Sequence, residues 1–190
     1  MIVFRILGGA ALLALTGLGL SSCLQAPDYS TTPAIDFKEL RIAHLPAAGG
    51  LNAVDTLKFY LNFRDGDGDL GLSAEDIKVA PWNSITGGPN NKSTKLNYFI
   101  QPFRKDNTGR FVPFINVGGV AGEYDGRFLR LDAPDAKPSP LRGELRYKLP
   151  LTLDGSPFAA KQVFRFEISI VDRALHESNK ITTTEVTLGR

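Results

Sequence analysis

Cysteine is almost absent: Cys23 is the only one in the chain. An intramolecular disulfide is therefore excluded, even in a compartment that would permit one. Histidine is nearly as scarce, with only His44 and His176. Neither belongs to an H-E-x-x-H pair, and no G-x-S-x-G elbow is present, so the familiar signatures of zinc- and serine-dependent hydrolysis are missing. Charge of one sign is lacking too: 22 basic residues stand against 20 acidic ones. Arg127, Arg130, Arg142, Arg146 and Lys148 are dispersed through strand-like segments. They read as solvated strand faces rather than the clustered footprint that nucleic acid requires, so no nucleic-acid partner is expected. Helical periodicity is absent beyond the N-terminal apolar block, apart from one turn over Ser73–Ile77 that Ser73 can cap.

What is present begins at the N-terminus. Arg5 and the free amine form a positive end, followed by an apolar run over Ile6–Leu20. The run suits a signal-peptide core and is short of the roughly 20 residues that a membrane-spanning helix needs. It closes on Leu20-Ser21-Ser22-Cys23, which resembles the bacterial lipobox. Small Ser21 and Ser22 let extended backbone enter a peptidase, Leu20 fills an apolar pocket, and the Cys23 thiolate is the group a diacylglyceryl donor can alkylate. Several acyl chains make a stable anchor where one alone is marginal. The expected organisation is a signal peptide over 1–22, a lipidated tether over 23–33 and one domain over 34–190. Cleavage removes only Arg5 among the charged groups, leaving 21 basic against 20 acidic side chains.

The domain reads as all-β. Leu57, Phe59, Leu61 and Phe63 alternate with polar neighbours, as do Leu145 to Leu153 and Phe164 to Ile170. Pro150 cannot donate to a ladder and places its strand at an edge or a bend. Ile181–Leu188 reads as a final strand, and Asp106–Gly109 as the turn of a hairpin between Leu96–Phe103 and Arg110–Phe114. Short strands and frequent turns predict an antiparallel β-sandwich, immunoglobulin-like in arrangement. Apart from that hairpin and a loop over Gly87–Asn91, the segment from Ala80 to Gly122 is the least defined part of the pattern.

The most informative internal stretch is Asp65-Gly66-Asp67-Gly68-Asp69-Leu70-Gly71. Permissive glycines let the backbone curl and turn the carboxylates toward one point, where they repel unless a cation sits among them. Calcium suits such a loop because it takes six to eight oxygen ligands in flexible geometry. Asp65, Asp67 and Asp69 match the first, third and fifth positions of an EF-hand loop, Ser73 the ninth and Asp76 the twelfth. Leu70 stands where that loop needs glycine, and a strand enters instead of a helix, so a calcium loop at a strand end is expected. Asp76, or Glu75, closes it. If Leu57–Phe63 and Phe164–Val171 are the second and sixth strands of a sandwich, their following loops share one end, which adds Asp172 as a ligand. The competing reading is a plain acidic turn.

The combination of LSSC, FRDGDGDLG and a terminal FEISIVDRALHESN resembles small lipoproteins of the Bacteroidota that carry a DGDGDLG element in an immunoglobulin-like domain. The resemblance implies an exported cell-envelope lipoprotein, held at the outer membrane, with no reaction attached to it. The expectation is a non-enzymatic binding or structural protein whose partner is an envelope protein or a glycan. The alternative is a surface carbohydrate-binding module or glycan hydrolase, since paired carboxylates converge only in space.

Overall fold

The computed structural model describes residues 27–116, 118–120, 122–133 and 135–190. Two antiparallel sheets face each other. One has the order β1-β2-β5, from Ala34–Leu45, Ala53–Asp65 and Leu141–Leu153. The other has the order β4-β3-β6-β7, from Phe111–Pro113, Tyr98–Lys105, Val163–Ile170 and Ile181–Thr182, with β8 (Val186–Thr187) also paired to β6. First, second and fifth strands on one sheet, third and sixth on the other, is the strand order of the expected sandwich. Among the described residues no helix is long and apolar enough to cross a membrane.

The alternating runs form the core for the reason their pattern implies. Leu57, Phe59 and Leu61 of β2 and Phe164, Phe166 and Ile168 of β6 are buried on the facing sides of the two sheets. Phe59 meets Phe166 edge to face across the sandwich, with centroids 5.1 Å apart. Tyr98 and Tyr147 stack at 4.6 Å between β3 and β5. Each large apolar side chain removed from water contributes about 1.5–3 kcal/mol, so this shared aliphatic and aromatic core is a main source of stability. Pro150 lies on β5, which among the described residues pairs only with β2, so its missing N–H disturbs no second ladder there.

Two elements depart from the sequence pattern. β1 carries Ile35 and Phe37 in one phase and Leu40 and Ile42 in the other, because the register with β2 shifts between Phe37 and Glu39. A bulge inserts one residue and flips the alternation, so the strand shows no continuous period two. The expected closing strand is split: β7 and β8 are short pieces, and between them the Thr183 hydroxyl accepts the N–H of Phe166 (3.1 Å). The hairpin is as expected, with Asp106 Oδ1 accepting from the N–H groups of Thr108 and Arg110.

The site follows from this topology. β2 ends at Asp65, and β6 ends one residue before Val171 and Asp172, on facing sheets at one pole of the sandwich.

Candidate metal centre

Three carboxylates converge where those strands end. One oxygen each from Asp65, Asp69 and Asp172 lies within 4.8 Å of the others. Asp65 is fully buried at the end of β2, and Asp172 is only 2 % exposed. The loop returns on itself through the N–H of Asp69, which donates to Asp65 Oδ2 at 3.1 Å. It is then stitched to the loop after β6. Leu70 pairs with Asp172, the N–H of Arg173 donates to Asp69 O, and the N–H of Ala174 donates to Asp69 Oδ2.

Gly71 makes the next step possible. Its φ is +92°, and a Cβ there would lie 2.2 Å from the carbonyl oxygen of Leu129. Only glycine allows that approach, which lets residues 128–131 run beside the acidic loop: Leu131 N–H donates to Leu70 O and Leu72 N–H to Phe128 O.

The electrostatics are unbalanced. Burial, reinforced by the charges of Asp67, Asp69 and Asp172, pushes the Asp65 carboxyl up to about 7. Burial, with Asp172 and Asp67 beside it, raises Asp69 to about 6. Asp172 is also raised by burial, although His176 opposes the shift by donating its backbone N–H (2.7 Å) and placing Nδ1 2.9 Å from Oδ2. The charge of Arg173 opposes the rise at Asp69, but its guanidinium is committed to Asp132 and to the carbonyls of Leu70 and Gly71. Oδ1 of Asp65, of Asp67 and of Asp69 are each buried with no hydrogen-bond partner among the described residues. Such orphaned acceptors are costly, and a positive partner among the three would offset that cost. The donors are all hard oxygens, which suit calcium better than a transition metal.

The sequence reading placed a further residue here, and the structure puts it elsewhere. Asp76 is not part of the cluster. It accepts from Arg130 Nε (2.8 Å) and Nη2 (3.0 Å); the Ser73 N–H also donates to its Oδ2 while its own N–H donates to Ser73 Oγ, a capping-box pattern. Arg130 holds its carboxyl down at about 2. The turn expected over Ser73–Ile77 therefore consumes the residue that EF-hand spacing would use as its last ligand. Asp67 stands beside the trio rather than within it. Cys23 lies outside the described residues.

A second polar cluster went unread in the sequence. Asp55, fully buried near the start of β2, faces His44 Nδ1 at 2.5 Å and accepts the N–H of Gly189 at 2.6 Å. Its signal was a lone acid at an inward position of an apolar strand. These groups satisfy one another and close the pole opposite the acidic loop.

The fold and this cluster define an all-β sandwich with an acidic, donor-poor loop site. No protein-family model, curated protein or solved structure matches the chain.

Proposed function

We propose that this chain is an exported cell-envelope lipoprotein, tethered to the outer membrane through lipid on Cys23. In this reading its sandwich is stabilised by calcium among Asp65, Asp67, Asp69 and Asp172, and serves a binding or supporting role rather than a catalytic one. The observation that carries the metal reading is the set of three buried, unpartnered carboxylate oxygens in one loop. The lipid reading rests on the LSSC tetrapeptide and on Cys23 having no other cysteine to pair with.

Calcium at a hundredfold excess over its dissociation constant contributes about 2.7 kcal/mol to the folded state. For a domain of this size that corresponds to about 5–10 °C in melting temperature. A chelator is therefore expected to lower the melt of the mature chain in detergent by that amount, and added calcium to restore it. An unchanged melt removes the metal. For the anchor, the envelope-extracted chain should begin at Cys23 and carry the mass of diacylglyceryl and N-acyl groups. Recovery of a chain with residues 1–22 intact and Cys23 unmodified would sink that half of the proposal.

Protons compete for the same oxygens. With Asp65 raised to about 7 and Asp69 to about 6, both carboxyls hold protons in the metal-free fold at mildly acidic pH. Calcium must displace those protons, so its affinity is expected to fall by about tenfold or more between pH 8 and pH 5.5. Calorimetric titration at the two pH values measures this. Equal affinities would mean that neither residue is a ligand.

A further inference from the structure

The chain joins the sandwich at the acidic pole. The Gly66 N–H donates to Ser30 O at 2.8 Å, and a Cβ on Gly66 would lie 2.3 Å from Tyr29 O. Ala34, the first residue of β1, pairs with Arg64. From Pro27 back to Cys23 is four residues, which reach at most about 14 Å. β2, at 13 residues, is about 43 Å long. An anchor on Cys23 therefore holds the acidic pole close to the bilayer, while the turn between β1 and β2, with exposed Leu51, lies at the far pole.

That near pole has the chemistry of a lipid-facing surface once a cation is bound. A cavity of about 330 Å³ lies beside the carboxylates, lined by Asp67, Gly68, Asp69, Lys137, Ser139 and Arg173. Next to it, on the segment laid against Leu70–Leu72, Leu129 is 66 % and Leu131 39 % exposed. Asp65, fully buried with Oδ1 unpartnered, supplies the fixed inner wall of the cation site. Without a cation the cluster repels an anionic surface. Asp67 and Asp69 line the cavity; calcium would neutralise their charge, and its six to eight ligand positions exceed the four carboxylates here, which would leave room for phosphate oxygen.

Building on the anchor and calcium readings, we infer that this pole docks on the anionic lipid surface that holds Cys23. Calcium bridges the acidic loop to lipid phosphate, Lys137 adds a contact to the headgroups, and Leu129 and Leu131 enter the interfacial layer. The tether then supplies proximity, and calcium sets the orientation of the sandwich on the membrane.

The test uses the lipidated full-length mature chain in vesicles with brominated acyl chains, made of phosphatidylglycerol and phosphatidylcholine or of phosphatidylcholine alone. Leu129→Trp reports from the near pole and Leu51→Trp from the far pole; both sites are exposed, and Trp82 gives a background common to the two. Calcium is expected to quench Leu129→Trp several-fold more than Leu51→Trp in anionic vesicles. Chelator, neutral vesicles or an added Asp69→Asn substitution should erase the difference. Equal quenching at both positions, or quenching indifferent to calcium, overturns the docking. Calcium titration of the same protein in detergent separates the possible failures. Binding there without quenching leaves the metal standing and gives the pole to another occupant, such as a glycan or protein. No binding there removes the metal and the docking together.

Discussion

Asp65→Asn is expected to raise the melting temperature of the calcium-free protein at pH 8 and to abolish its response to calcium. The two effects have one cause. Burial and neighbouring carboxylates raise the folded-state pKa of Asp65 to about 7. The metal-free fold is therefore penalised as pH rises from the unfolded value near 4 through 7, and the penalty is fully present at pH 8. An amide keeps the shape, can still accept the Asp69 N–H, and turns an NH₂ toward the remaining carboxylates. Relief of roughly 1–2 kcal/mol follows, after allowance for relaxation around the site. If calcium binds as proposed, the same change also removes its central anionic ligand. Paired thermal melts, with calcium and with chelator, give the result. A substituted protein that still gains its full stabilisation from calcium would take Asp65 out of the site, and one that is destabilised without calcium would refute the charge argument.

Phe166→Ala is expected to cost about 3–5 kcal/mol, because the ring fills the centre of the sandwich and the sheets cannot close over the void. Phe166 is 1 % exposed and contacts Phe59 edge to face and Phe164 at 6.3 Å. The melting temperature should fall by on the order of 10 °C. Calcium affinity of the folded fraction should be unchanged, since Asp172 lies beyond the end of β6 and is positioned by the loop bonds to His176 and Leu70. Denaturant melts and calcium titration at low temperature separate the two quantities. A loss below 1 kcal/mol would mean that the sheets repack around position 166.

The legible parts of this fold were those in which a side chain's environment depends only on its own strand. β2, β5 and β6 are regular, so alternation reported them directly. β1 was hidden by its bulge. Outside the β3–β4 hairpin, the loops after Ala80 were hidden because side-chain bonds there take the place of a ladder. Asn97 exchanges two bonds with the backbone of Phe128, and Asp125 accepts the N–H of Ile100. Such contacts span some 30 residues and leave no period. At the site, the convergence of Asp172 on Asp65 and Asp69 followed from strand order, which places the two loops at one pole. The part played by Asp76 did not, because the guanidinium that claims it comes from Arg130, 54 positions away.

The two poles of the sandwich also set how it carries load. In the proposed tethering through Cys23, tension would enter β1 at Ala34, while Gly189 is held at the opposite pole by Asp55. A pull between those points runs along β1 and stresses its 11 registered pairs with β2 together, in shear, rather than opening them one after another. The strand geometry thus resists extension between the two poles of the domain.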